Sequence, residues 1–558
     1  MKIFNFRFSL KEALIVFMSL YSIVFVMLFL MAGPNEIFDY QTLLLSLSIL
    51  FFLILIIKFS REHIFVQSAL MAGFFLIYIF PRLMMYLILP EMIIFPYESV
   101  LNAHQINTSL LYILVGSMFI YAGFFAAKNI FRLFIAPASS YAEPAVYNPM
   151  VILVIFLIST ISVWYVQEVM GVSHLAMTGE HNVLAQLILV IFNIDTVLFM
   201  GCATLLIRKF IDKKSIFFIV LIAVIYYSFF TFNGSRGVAL RIETMIIIIL
   251  LCKIGDFKIS KKYALIFFLF LLLSYCLFPF ATKNRITTLA KTNKAVRDSG
   301  VTFWTVSPTI TQNRMITQNR IKKVSVKKKV VRARGVTLST ASSTITQNQN
   351  TINKVSLNNK AVMGKRSMIL LSSVMKRIGL IDNAIMILSI PAEPSAKSRY
   401  MNMSYAGKNI VNLILPGVVF KDAEISTSRV IPVLYRAFSD DYLKAGGYYS
   451  DFYTAWGIFF LIFGWWTGWF MLLVAGTVVH FAYLLIMRFG GKYRYHMGAL
   501  CLLIVSYALY LNMGIDHWIS TSVMILGSGV IALILFKLGE FILDRTRLFL
   551  KQLFTPLL

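Results

Sequence analysis

Charge is scarce in this 558-residue chain: only 14% of residues are Asp, Glu, Lys or Arg, against 59% hydrophobic and 15% aromatic. That balance excludes an ordinary water-soluble domain. Cysteine is nearly absent as well. Cys202, Cys252, Cys276 and Cys501 all fall inside apolar runs, where they read as small buried hydrophobes and suggest no disulfide framework. The seven histidines are scattered, with no two three or four residues apart, so no metal site is expected. Acidic residues are also few, 24 against 52 Lys and Arg, which leaves a formal net charge of +28.

What the chain has in abundance is apolar runs of about twenty residues, the length that crosses roughly 30 Å of hydrocarbon as a helix. The runs are continuous and do not alternate, which selects helices over a barrel. Spans are predicted at 12–32, 41–57, 64–82, 109–127, 149–168, 183–207, 215–232, 238–252, 263–281, 455–487, 497–513 and 519–537. The expected fold is therefore an all-α polytopic membrane protein with twelve transmembrane helices and one large loop late in the chain. The first run follows Lys2, Arg7 and Lys11 and lacks a small-x-small cleavage site, so it reads as an uncleaved anchor. The run from Trp456 to Met487 is too long for one crossing, and Gly464 and Gly468 could mark a re-entrant first part.

Lys and Arg concentrate in alternate turns: the amino terminus, Lys58 to Glu62, Lys128 to Arg132, Arg208 to Lys214, Lys253 to Lys262, and Arg488 to Arg494. By the positive-inside rule these turns and both termini are cytoplasmic, and the late loop is extracytoplasmic. The chain then divides into five regions. They are a bundle of nine spans over 1–282, a basic low-complexity insert over 283–366, a folded loop over 367–454, three spans over 455–537, and a tail over 538–558. Arg545, Arg547 and Lys551 among Leu and Phe make that tail an expected amphipathic helix on the inner leaflet.

The insert holds eighteen Lys and Arg and one acid, Asp298, and repeats Ile-Thr-Gln-Asn at Ile310, Ile316 and Ile345. Its polar, low-complexity composition predicts disorder. It reads either as a clamp for anionic partners or as a tolerated insertion, and no folded basic face suggests nucleic acid. Residues 367–454 are more balanced, with nine basic and seven acidic residues. Within them, Met368 to Ser389 has helical apolar spacing broken by Lys376, Arg377 and Asp382, which suits a helix lying on the outer membrane boundary.

Three constellations could carry chemistry. Asn233-Gly234-Ser235-Arg236-Gly237 precedes an outer-facing helix start, where free amides, the helix dipole and a guanidinium together suit a phosphate. A snorkelling turn is the plainer reading. Arg241 and Glu243 come next, inside an apolar span, where an ionisable side chain needs a partner or a wet cavity; Asp195, beside Asn193 in the sixth span, is one possible partner of Arg241. In the late loop Arg429, Arg436, Asp440 and Asp441 gather with Tyr435 and Tyr442 ahead of Gly446-Gly447 and Asp451. Cations can stabilise a leaving pyrophosphate while a carboxylate takes a hydroxyl proton. Solvated loop charges look similar, and Asp516 with His517 form a weaker alternative base.

In these residues the chain resembles the Wzy-type O-antigen and oligosaccharide repeat-unit polymerases: twelve spans, a Gly-Ser-Arg-Gly turn opening an outer-facing helix, and a late outer loop in which ten residues separate Arg436 from Gly447. The resemblance implies a metal-independent glycosyltransferase without cofactor, working at the outer face of a bacterial inner membrane. It would polymerise undecaprenyl-pyrophosphate-linked repeat units. Arg236, Arg241, Arg377, Arg429 and Arg436 would bind pyrophosphate, and Asp440, Asp441 and Glu243 would be the catalytic acids. Expected partners are the lipid-linked glycans, the bilayer, and a chain-length regulator and flippase of the same pathway. The insert departs from the family's usual loop. An O-antigen ligase differs mainly in acceptor, and a lipid-linked oligosaccharide flippase is the reading from another class.

Overall fold

The computed structural model describes residues 10–90, 101–134, 143–168, 183–207, 213–232, 380–392, 394–414, 454–510 and 515–554, together with Ile248, Phe420, Val430, Leu434 and Tyr435. Contacts group the chain into two units: Met1–Phe229 with Gly237–Tyr275 and Ile378–Leu558, and Phe230–Arg236 with Cys276–Arg377. Apart from 230–232, every described residue belongs to the first unit.

Among the described residues there is no strand, and eight helices are long and apolar enough to cross a membrane. The chain begins with α1 (Leu10–Ala32) and α2 (Tyr40–Phe59). Next come α3 (Glu62–Phe74), a π-helical turn (Phe75–Ile79) and α4 (Phe80–Ile88), which together form one span. α5 (Ala103–Phe134), α6 (Pro149–Glu168), the pair α7 (Val183–Ile191) and α8 (Ile194–Ile207), and α9 (Lys213–Phe232) complete the amino-terminal part. After the insert come α10 (Leu380–Ser389), α11 (Pro394–Tyr400), α12 (Met403–Ile414) and α13 (Thr454–Phe489). The chain closes with α14 (Arg494–Val505), a second π-helical turn (Ser506–Tyr510) and α15 (Ile515–Phe554). A membrane protein built of apolar helices is thus what the chain folds into. The expected spans at 238–252 and 263–281 lie outside the described residues, apart from Ile248.

Caps place the helices. Asp39 opens α2 with a capping box, accepting from the Thr42 amide at 2.7 Å while its own amide donates to the Thr42 hydroxyl. The Asn107 amide also donates to Asp39, tying α2 to α5 at this end of the bundle. Burial would raise the Asp39 carboxyl, but the bonds from Thr42, Asn107 and Gln41 outweigh it and hold the group below its usual range.

The tightest packing is between α5 and α13. A Cβ on Gly123 would run into the Leu473 carbonyl oxygen, and one on Gly476 would stand 2.5 Å from that of Ile120. Only glycine lets the two backbones approach so closely. The two helices run in the same direction, because Tyr112 stacks on Trp469, Phe124 meets His480 and Phe131 meets Phe481 in order along both.

The start of α13 does not continue that line. In a straight helix Trp456 and Leu472 would lie about 24 Å apart. Both nevertheless flank Gly116, where a Cβ would meet Trp456 Cδ1 at 2.7 Å and Leu472 Cδ1 at 2.8 Å. Midway between them Gly464 has φ 77° and ψ −161°, a conformation essentially confined to glycine. The helix therefore folds back on itself, so that Gly468 lies against the Phe459 carbonyl and the Tyr112 ring touches Phe460, Trp465 and Trp469. Trp466, 80% exposed beside the fold, joins Trp465 and Trp469 in an aromatic group of the kind found at membrane boundaries. The re-entrant first arm, 454–463, rises from the bundle interior towards the Asp39 end.

α10 is a second short helix set inside the bundle. Ile381 to Leu388 are all buried, and the Ser389 and Ser109 hydroxyls are 2.8 Å apart at the start of α5. The expected boundary helix over 368–389 would keep one face in contact with lipid headgroups. Its described part instead packs against α5, α13 and the first π turn, and Ile387 touches Gly457. At the carboxy terminus α15 runs unbroken through 537 to Phe554, about 60 Å of helix against roughly 30 Å of hydrocarbon, so the basic tail continues the last span.

Gly123→Val and Gly476→Val should each cost about 3 kcal/mol or more, since the added atoms meet backbone that has little room to move. Gly73→Ala, with nothing within 4 Å of the new methyl, should be neutral or stabilise by up to about 1 kcal/mol. Thermal unfolding of the purified variants in detergent checks the contrast.

Candidate functional site

Arg236, Arg241, Glu243, Arg377, Arg429, Arg436, Asp440 and Asp441 all lie outside the described residues. Asp451 and the glycines 446 and 447 do too, and of Asp516 and His517 only the backbone, in the first turn of α15, is described. The residues around the late-loop candidates are informative. Val430 and Leu434, both fully buried, lie between Arg429 and Arg436. They share one apolar core with Met386 and Ile387 of α10, Tyr400, Met401 and Tyr405 of α11, α12 and their junction, and Ile458 and Leu461 of α13. Thr454, where the described chain resumes, is also buried.

Beside this core lies a buried ion pair that sequence reading did not pick out. Arg82 of α4 and Asp382 of α10 are 300 residues apart and almost wholly enclosed. The guanidinium grips the carboxylate through Nε at 3.0 Å and Nη2 at 2.6 Å, and the Tyr86 hydroxyl donates to the same carboxylate. Nη1 faces the Met85 sulfur at 3.6 Å. Each member is short of water and each satisfies the others, so the trio acts as a clasp between α4 and α10. The available signal was an arginine at the end of one apolar run and an aspartate within another, since such residues in a membrane seek partners. Their separation in sequence hid the pairing.

Close to the clasp, several unusual features converge on the interior end of α13. Thr454 has φ +59°, in the left-handed region that a β-branched residue rarely enters. Its hydroxyl receives the Gly457 amide at 3.5 Å. Both π-helical turns abut this point, a form that often marks functional positions. Phe75 of the first turn lies 5.6 Å from the Trp456 ring, and Tyr510 of the second lies 6.1 Å from it. Phe74 stacks on both Trp456 and Tyr510. The Trp456 indole nitrogen and the Tyr510 hydroxyl are buried without a hydrogen-bond partner among the described residues. Both are hydrogen-bond donors that lie beside a strained helix start.

Asp195 belongs to a different feature. The sixth span breaks at Phe192 and Asn193, and the Asn193 side chain caps α8 by accepting from the Thr196 amide at 3.0 Å. Asp195, in the first turn of α8, accepts a hydrogen bond from the Tyr226 hydroxyl of α9, while Ser528 of α15 donates to Thr196 at 3.0 Å. Arg241, the partner considered for Asp195, is outside the described residues. Among the described residues no group of three or more His, Cys, Asp or Glu is placed to hold a metal ion.

No protein-family model, no curated protein and no solved structure matches the chain.

Removing one side of the clasp strands a charge in the interior. Arg82→Met and Asp382→Leu alone should each destabilise by about 3–5 kcal/mol, whereas the double variant should recover most of the loss. A double-mutant cycle on unfolding temperature in detergent reads this out, and additive losses would mean that the two side chains act independently.

Proposed function

We propose that the chain is a metal-independent glycosyltransferase that polymerises polyprenyl-pyrophosphate-linked oligosaccharide repeat units into O-antigen or a related surface polysaccharide. It would work at the outer face of a bacterial inner membrane, with both termini in the cytoplasm. The observation that carries this reading is the seat of the late loop. Val430 and Leu434, neighbours in sequence of Arg429 and Arg436, are buried in one apolar core with α10 and the re-entrant arm of α13, which supports a late loop that works at the bundle.

In this mechanism the bond between the sugar anomeric carbon and the pyrophosphate oxygen breaks, and a glycosidic bond forms to an acceptor hydroxyl on the next lipid-linked unit. The hydroxyl proton passes to a carboxylate, for which Asp440, Asp441 and Glu243 are the candidates. The polyprenyl pyrophosphate leaves with its developing charge held by Arg236 and Arg436, assisted by Arg241, Arg377 and Arg429. A chain-length regulator and a flippase would work beside it. A ligase would share every step except the acceptor.

Discontinuous helices at 192–193 and at Gly464 favour a second reading, carriage of a lipid-linked glycan across the membrane, since transporters build sites from such breaks. Polymer length separates the two. If Arg236 and Arg436 stabilise the leaving group, Arg236→Ala and Arg436→Ala should each cost on the order of 3 kcal/mol, about a hundredfold in rate, and Lys should rescue poorly because it lacks the planar fork. Polymer ladders at matched membrane protein levels should collapse towards single repeats. Loss of all surface glycan, single repeats included, points to transport, and full ladders from both alanine variants end the polymerase proposal.

A further inference from the structure

The end of the bundle opposite Asp39 holds polar groups that neither the clasp nor the proposed chemistry uses. There α3 meets the second arm of α13, with the His63 and Tyr483 rings 5.6 Å apart, edge to face. One helical turn further into the bundle, α3 presents Gln67 and α13 presents His480, which brings the two to the same level on facing helices. Both are fully buried. Among the described residues, neither amide atom of Gln67 and neither ring nitrogen of His480 has a hydrogen-bond partner. The surroundings are aromatic: Phe124 lies 5.5 Å from the His480 ring, and Tyr483 stacks on it at 6.2 Å. Lys128 and Glu62, 4.0 Å apart, stand at the rim beyond His63.

Leaving four polar atoms dry is costly, and neither lipid nor aromatic rings can satisfy them. The chemistry of the pair also says what would satisfy them. A carboxamide and a neutral imidazole offer both donors and acceptors, which matches water, itself both donor and acceptor. Among the described residues no group of three or more His, Cys, Asp or Glu is placed here to hold a metal ion. Two to four polar partners are what an internal water requires.

We propose that Gln67 and His480 enclose internal water between α3 and α13, at least one molecule bridging the amide to the imidazole. Through that water the third span and the second arm of α13 are hydrogen-bonded across their seam. The site is independent of the proposed glycosyl transfer and stands or falls without it.

Millisecond X-ray radiolysis of the full-length protein in nanodiscs, read by mass spectrometry, tests the site because hydroxyl radicals form where water is held. Phe124 and Tyr483, both buried, should be oxidised, while the equally buried Phe156 and Phe199 should stay at background. In Gln67→Leu with His480→Phe, oxidation of Phe124 and Tyr483 should fall to the level of Phe199, with unfolding temperature unchanged or raised. Should that double variant not assemble, Gln67→Met, which conserves volume, is read the same way. Background labelling of Phe124 and Tyr483 in the wild type, as a dry Gln67–His480 contact would give, overturns the proposal. So does strong labelling that survives in the variants.

Discussion

The close approach of α5 and α13 is the constraint on which the rest of the bundle depends. Gly123 and Gly476 put backbone against backbone, and Gly116 and Gly468 make room for Trp456, Leu472 and Tyr112. Lipid supplies no hydrophobic drive to bring helices together, so contact of this kind must come from shape, and small residues supply it. With the second arm of α13 fixed along α5, the turn at Gly464 has one place to go. It lays the first arm back against the same helix, and that arm carries Thr454 and Trp456 into the interior.

Two short helices then pack inside the bundle, α10 and the re-entrant arm of α13. Arg82, Tyr86 and Asp382 hold α10 in place, and Ile387 against Gly457 joins the two. Between them in sequence lie α11, α12 and the stretch with Val430 and Leu434, all packed into one core with both short helices. A long loop that leaves the membrane freely would have none of these anchors.

The spans were legible in the sequence because hydropathy reports burial in lipid directly: the described helices α1, α2, α5, α6, α9 and α13 fall where apolar runs of sufficient length occur. The fold-back of α13 was half legible, from an apolar run too long for one crossing with Gly464 and Gly468 inside it. α10 misled, because Lys376, Arg377 and Asp382 in an apolar stretch look like the polar face of a boundary helix, whereas the charge of Asp382 is spent on Arg82. That pairing joins residues 300 apart and leaves no periodic trace. The convergence of two π turns on Trp456 was invisible for a similar reason, since π geometry has no composition of its own. The unbroken length of α15 was hidden by its change in composition at 537, which altered the surface of the helix and not its backbone.

The fold-back at Gly464 is the central claim, and the distance between its arms measures it directly. Spin labels at positions 457 and 471, in a chain with its four cysteines replaced, would be about 21 Å apart along a straight helix and show little dipolar broadening. Folded back, they lie at one level on adjacent arms, separated by about 8–10 Å between helix axes. Strong broadening in the continuous-wave spectrum is the predicted result. A spectrum equal to the sum of the two singly labelled proteins would show a straight α13 and would remove the seat on which the late loop is argued to rest.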